Sequence, residues 1–548
     1  MKYPLALRYL FMIAGSIFIL GSAYAEPPPT LFHASDIVQD ISDTTTIRQR
    51  FVYVETGLLS TNDQIFLNLF EDVSFVATLA RVEKLSKGGI AWIGHIDSVQ
   101  KSEVTLISRG NQMAANIVLP GAFYQVRYAG EGVHVIKEID QSKFPPEAPP
   151  IPVESSPSSE EWWGGDADDG SSIDVLVVYT EAAKNTVGGQ TAMENLIDLA
   201  VTETNTGYAN SLVIQRLNLV HTAQVSYNET GFDWSQTLGR LRNTTDGYMD
   251  NVHTLRDTYQ ADEVVLIVNS GGYCGIAYVM TTVSQSFESS AFSVVSYSCA
   301  TGYYSFGHEL GHHKGSTHDR ANAGGDSGAF DYSYGYQAPD KSFRTVMAYN
   351  CSGGCPRVNH WSNPNVDYNG QPTGIIDTSP QSAFNVKSLN NTAFTVANFR
   401  QSGGSECPLE EALGTLPQAS DELNLMHTFR DQVMADTEAG RSYIDLYGTH
   451  SSEMRKILKD NPLLAARVGY AVMQYAPAVR DMLNGADGAV LRSAELRRLA
   501  FLLTALASLA EPDLQSTLIV LRTYLNLSQG LTLREMWAAF IEYRRLSF

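Results

Sequence analysis

From about residue 30 to 140 the chain alternates apolar and polar positions. Gln64–Phe70, residues 90–94 and residues 103–108 look like strands, separated by Gly, Asp and Ser turns. They predict a small β-rich domain over residues 26–143. At residue 173 the pattern changes. Residues 173–179 form a nearly continuous apolar run, as expected of a strand buried on both faces. A helix over 181–209 follows, with Thr180 placed to cap it. Next come a strand at 217–227, a helix at 233–259 and a strand at 261–268. A short strand at Gly275–Met280 has the look of a sheet edge, a further strand spans 293–297, and a helix spans 301–314. Strands alternating with helices predict a mixed sheet with helices packed on it, an α/β domain over 173–403 closed by a helix at 383–400. Beyond 404 apolar residues recur at helical spacing, as from Leu496 to Leu525, which predicts an all-α module over 404–548. The expected fold class is therefore multidomain: β-rich, then α/β, then all-α.

Between the first two domains, residues 144–172 read as a linker. It opens with Phe-Pro-Pro-Glu-Ala-Pro-Pro-Ile-Pro and continues Ser-rich and acidic. Proline keeps such a segment extended, Gly and Ser leave it mobile, and proteases cut there. No Lys or Arg lies between Lys143 and Lys184, so a trypsin-like enzyme has no site inside the linker. Cutting by another specificity, the chain's own included, is the expectation. The acidic run from Asp166 to Asp169 is a candidate calcium site, with a solvated loop as its plainer reading.

Residues 1–25 read as a secretory signal, with Lys2 and Arg8 ahead of an apolar run over 9–21 and Ala23-Tyr24-Ala25 as a cleavage site. The run is too short to span a bilayer. The expected location is therefore extracellular or periplasmic, with no stable membrane span once the signal is removed. The 548 residues are 44% apolar and 18% charged, which is ordinary globular composition. A formal net charge of -21 makes nucleic acid and anionic membranes poor partners.

The chemistry concentrates at residues 308–319, His-Glu-Leu-Gly-His-His-Lys-Gly-Ser-Thr-His-Asp. His308 and His312 are four apart, so a helix presents both on one face. Two imidazoles so placed can grip one zinc ion, and Glu309 can reach a water bound to it. Gly315 lets the chain leave the helix, and the turn can swing His318 back as a third ligand. Three protein ligands leave a fourth position open, as in a catalytic zinc site. His313 points off that face and reads as a surface or supporting residue.

This string resembles the long zinc signature of the metzincin metallopeptidases. Asp319 after the third His is similar to the reprolysin (adamalysin) branch. Metzincins also carry a Met-turn beneath the metal, and Thr345-Val-Met-Ala-Tyr349 fits it, with Met347 as an apolar floor that does not ligate. Tyr349 departs from typical reprolysins and is similar to the astacin and serralysin pattern. The resemblance covers residues 173 to about 402 and is closest to secreted bacterial reprolysin-like peptidases. It implies a secreted zinc endopeptidase acting on protein or peptide substrates and made as a zymogen, with the β-rich domain in the place of a propeptide. It implies Glu309 as general base for a metal-activated water. For Tyr349 two readings stand: a hydrogen bond to the developing oxyanion, or packing and resting-state ligation. It also implies that residues 275–280 hold extended substrate by strand addition. The β-rich domain has no cysteine, so a thiolate from it cannot cap the metal.

Of the five cysteines, 274, 299, 351, 355 and 407, an exported chain oxidises what it can. The expected pairs are Cys274–Cys299 and Cys351–Cys355, though four cysteines allow three pairings. Parts of 425–447 resemble a C-terminal helical module of assorted secreted bacterial proteins that starts at a cysteine, here Cys407. Its partner is not legible in the sequence. Two other functions fit the same residues: a zinc hydrolase acting on a non-peptide amide, and a catalytically silent binding module. The intact Glu309 argues against the second. Cleavage preference is not legible either.

Overall fold

The computed structural model of the protein describes residues 27–536 with gaps. Residues 1–26, 38–42, 86, 154–167, 169, 326–327, 401–407, 415–421, 423–424, 427–428, 435–437, 484–492, 528–530, 533–534 and 537–548 lie outside the described residues. The signal-like segment, most of the acidic run at 166–169 and Cys407 fall among them.

Alternation in the first region produces nine antiparallel strands: β1 (Phe32–Ala34), β2 (Thr46–Val54), β3 (Gln64–Phe70), β4 (Val73–Lys84), β5 (Ile90–His95), β6 (Glu103–Arg109), β7 (Gln112–Leu119), β8 (Ala122–Gly130) and β9 (Val133–Ile139). Their order is β1-β2-β9-β8-β7-β6-β5-β4-β3, so most neighbours in sequence are neighbours in the sheet. The tightest connections are two-residue turns. At one, Glu131 and Gly132 both take positive φ (48° and 79°), as a turn that follows the twist of its strands requires. The sheet curls until Thr30, just before β1, bridges to Phe66 of β3. Its concave face holds an apolar core that includes Leu67, Trp92, Leu106, Ala115 and Ile136. The other face of β5 to β7 is buried too, because Ala91, Ile93, Ile107 and Ala114 pack on Leu199 of the next region.

That next region is the expected mixed sheet. Strands β11 (Ser172–Thr180), β12 (Arg216–Val225), β13 (Glu263–Val268) and β15 (Phe292–Ser296) pair in parallel, and β14 (Gly275–Met280) is antiparallel to β15. Every residue of β13, β14 and β15 is buried, as their apolar sequences require.

The helices depart from expectation in three places. The helix expected over 181–209 is two, α1 (Glu181–Thr186) and α2 (Gln190–Ser211). Gly188 and Gly189 stand between them at φ 102° and 108°, which no helix accommodates. Thr180 does cap α1, its hydroxyl accepting the Ala183 N–H at 3.1 Å. The helix expected over 233–259 is also two, α3 (Trp234–Arg242) and α4 (Asn251–Thr258). Between them lies Asn-Thr-Thr-Asp-Gly, whose side chains compete for backbone groups, as when Asn243 Oδ1 accepts from Thr245 N. The helix expected over 301–314 is α5 (Ser305–His313), because Tyr304 before it takes left-handed angles. The closing helix α6 (Asn385–Ala397) lies within its expected span.

Part of the expected mobile linker is pinned. Phe144, Glu147 and Ala148 are buried, and β10 (Ile151–Val153) pairs in parallel with β14, so β14 is not the edge of its sheet. Farther on, α7 (Pro408–Leu413), α8 (Glu438–Asp460), α9 (Pro462–Leu483), α10 (Ser493–Ala507) and α11 (Pro512–Leu527) share an apolar core that includes Leu458, Leu506, Leu514 and Leu518. Among the described residues no helix is long and apolar enough to cross a membrane.

Candidate active site

Helix α5 presents His308 and His312 one turn apart. The Nδ1 of His308 lies 2.9 Å from the Val346 carbonyl, and the Nδ1 of His312 lies 2.9 Å from the Ser316 carbonyl. A carbonyl only accepts, so each Nδ1 carries the proton and each Nε2 is left with a lone pair. Beyond α5 the chain reverses at Gly315 (φ +73°), where a Cβ would lie 2.3 Å from the Ala329 side chain. This turn returns His318, whose Nε2 comes within 3.1 Å of the His308 Nε2.

The three histidines bring one ligand nitrogen each to within 4.8 Å of one another. All three are buried, and the His312 Nε2 has no hydrogen-bond partner. Burial holds the imidazoles neutral, taking the pKa of His312 down to about 3 and those of His308 and His318 well below the usual value. Convergent neutral imidazoles that turn ring nitrogens toward one another suit a divalent cation, and their number and type suit zinc with a coordination position to spare.

Glu309, next to the first His, is fully buried, and neither carboxylate oxygen has a hydrogen-bond partner. It is lodged against β14 at Gly275, where a Cβ would lie 2.4 Å from its Oε1. Burial raises its pKa well above the carboxylate range, the charge of Glu147 adds to the rise, and Arg357 opposes it.

The other residues singled out in the sequence lie around this cluster as follows. Met347 is wholly buried, its sulfur close against Gly311 of α5. Asp319 accepts the Tyr349 N–H at 3.0 Å and both side-chain contacts of Asn322. The Tyr349 ring lies 4.1 Å from the His318 ring, and its hydroxyl donates to the main-chain carbonyl of Glu147 at 2.8 Å. Cys274 is bonded to Cys299, and Cys351 to Cys355. The first bridge joins the start of β14 to the segment that enters α5. His313 is not at the surface. It is buried behind α5, 3.2 Å from Glu263, which also takes Lys314 at 2.5 Å.

Sequence reasoning missed Glu147, Ser305 and Arg357. Glu147 Oε1 accepts from Arg357 Nη1 at 2.6 Å and from Ser305 Oγ at 2.7 Å, all of it buried. The signal available was a single acidic residue framed by two proline pairs, Pro145-Pro146 and Pro149-Pro150.

Residues 169–362 match Metallo-peptidase family M12, of reprolysin type. A peptidyl-Asp metalloendopeptidase of Xanthomonas campestris is 34% identical over 414 residues, covering 71% of this chain and 96% of that one. The chain belongs to the reprolysin-like metzincin metallopeptidases. A second relative of the metallopeptidase, the peptidyl-Asp metalloendopeptidase of Stenotrophomonas maltophilia strain R551-3, is 39% identical over 347 residues, covering 59% of this chain and 80% of that one. A third, from Pseudomonas fragi, is 35% identical over 201 residues, covering 36% of this chain and all of that one. The metallopeptidase is thus a metalloendopeptidase, and its three-histidine cluster lies inside the region that matches the family.

Proposed function

We propose that this chain is a secreted zinc endopeptidase, made as a zymogen, that hydrolyses peptide bonds beside an acidic residue. The observation that carries the reading is the convergence of ring nitrogens from His308, His312 and His318 beside an unpartnered buried carboxylate. When bound there, zinc would acidify a water molecule and polarise the scissile carbonyl.

The chain's own groups do the rest. Glu309 takes a proton from water and delivers it to the leaving amine. Tyr349 stabilises charge growing on the substrate carbonyl oxygen. Its hydroxyl already donates to a peptide carbonyl that lies across the cleft, that of Glu147. Strand β14 orients extended substrate by adding it to the sheet, the position that residues 146–153 occupy here. The acidic preference follows the names of the relatives, each a peptidyl-Asp metalloendopeptidase.

In this reading residues 1–25 are a signal peptide, residues 26–143 a propeptide, and residues 144–172 the segment cut on activation. Residues 404–548 are a separate helical module. The two disulfides fit an oxidising location. Calcium has no support among the described residues.

The deciding experiment compares purified wild type with Glu309→Ala on a casein-type substrate, with zinc content measured in both. Wild type should digest it, lose activity to a zinc chelator and regain it with zinc. The variant should keep its zinc and lose activity by roughly 10²-fold or more. Loss of zinc from the variant would make Glu309 structural and sink its role as base. Processing between residues 153 and 172 that persists in the pure variant would sink self-cleavage.

A further inference from the structure

The catalytic region builds a buried cation without building its anion. Arg357 is 2% exposed, and its guanidinium lies over the Tyr303 ring at 4.3 Å and donates to the Tyr303 carbonyl at 2.8 Å. Among the described residues its one ion pair is with Glu147, 210 positions earlier in sequence. Ser305, the first residue of α5, donates to the same carboxylate oxygen. A buried guanidinium is costly to leave without an anion, and Glu147 is the carboxylate that meets this one.

Glu147 supplies it from a stretch laid through the cleft as a peptide. Cys274 N–H donates to the Pro146 carbonyl, and Ala148 N–H donates to the Gly275 carbonyl, both at 2.9 Å. The Glu147 carbonyl takes the Tyr349 hydroxyl, and its side-chain charge is felt by Glu309. The flanking prolines hold the stretch extended in advance, which lowers the entropy lost on seating it.

We propose that Arg357 and Ser305 form the pocket that selects an acidic substrate side chain, and that Glu147 is the chain's own occupant of it. This rests on the peptidase reading above and assigns its specificity to named atoms. Arg357 grips the carboxylate through Nη1 while Tyr303 holds the guanidinium in place. Ser305 adds a hydroxyl at the positive end of α5. Glu147 keeps the cleft shut by presenting the group that a substrate would have to bring. Substrate and residues 146–153 therefore compete for the same pocket.

The test uses the full-length, zinc-loaded chain as wild type, Glu147→Gln and the double variant Glu147→Gln with Arg357→Lys. Two quenched fluorescent peptides differ only in Asp or Asn at one position. Glu147→Gln should cleave the Asp peptide at least about tenfold faster than uncut wild type, the loss expected when a charged hydrogen-bond partner is removed from the plug. It should also prefer Asp over Asn by about 100-fold. Lysine at 357 keeps the charge but loses the planar group that stacks on Tyr303, so the double variant should shrink that preference about tenfold, chiefly through KM. Hydrogen exchange gives a readout without turnover. In Glu147→Gln the amides of Ala148, Ile151 and Val153 should exchange at least about tenfold faster, with those of β11 and β13 unchanged. Unchanged protection of Ala148, Ile151 and Val153 would overturn the anchoring role of Glu147. Equal cleavage of both peptides would overturn the pocket and leave the peptidase reading intact. Cleavage of neither, with zinc bound and the cleft opened by exchange, would overturn the peptidase reading while the anchor stood.

Discussion

The carboxylate of Asp319 accepts the main-chain N–H of Tyr349 at 3.0 Å, thirty positions downstream. Asp319 directly follows His318, and Tyr349 closes the turn that carries Met347. One hydrogen bond therefore ties the third histidine to the floor beneath it. His308 makes a similar tie, its Nδ1 donating to Val346 in the same turn. The histidines are aimed by a frame and not by the helix alone.

Asp319→Ala should loosen that frame. The Tyr349 N–H would lose its partner, and His318 would gain freedom to swing. Removal of such supporting partners typically lowers metal affinity about 10- to 100-fold. Zinc competition against a chromogenic chelator measures it directly. An unchanged affinity would show that His318 is held by its own turn.

Tyr349→Phe removes only the hydroxyl that reaches the Glu147 carbonyl. If that hydroxyl serves a reacting carbonyl, kcat should fall by roughly 10²-fold with KM little changed, the usual cost of losing one such donor. Steady-state kinetics on an acidic peptide decide it. A rate equal to wild type would leave Tyr349 as a packing residue against His318.

Glu203 gives a pH dependence away from the metal. It lies on α2 beneath the β-rich region, accepting from Asn116 at 2.6 Å and from the Gly302 N–H at 2.8 Å. Burial outweighs these bonds and the nearby Arg127, and raises its pKa from 4.5 to about 7. A raised carboxyl pKa means the folded state holds the proton more tightly than the unfolded one. Its contribution is therefore complete below about pH 4.5 and is lost as pH rises through 7. Between pH 5.5 and 8 the assembled chain should lose about 2 kcal/mol from this group. Urea unfolding at the two pH values measures it, and Glu203→Gln should flatten the difference.

The metal centre was legible because its parts are close in sequence. His308, Glu309, His312, Gly315 and His318 lie within eleven positions, and helical spacing plus one glycine turn predicts their convergence. The strands of the α/β region were legible as apolar runs of strand length, but their order in the sheet was not. The buried pair of Glu147 and Arg357 was not legible, since the two lie 210 positions apart and neither belongs to a short motif. The linker reading failed at residues 144–153 for a related reason. Proline-rich composition describes how a chain behaves when nothing binds it, and here β14 and Arg357 bind it. Helix breaks at 187–189 and 243–250 were underestimated because flanking apolar periodicity outweighed the turn-forming residues between.

Strand β14 carries one more implication. Were residues 146–153 to leave, the amide of Cys274, the carbonyl of Gly275 and the Thr281 hydroxyl would lose their present partners together. An apolar ribbon with vacant amides is adhesive toward any extended polypeptide, whichever protein it comes from. The opened molecule would thus be least at ease in its own crowd, where the loose ends of its neighbours are the first strands it meets.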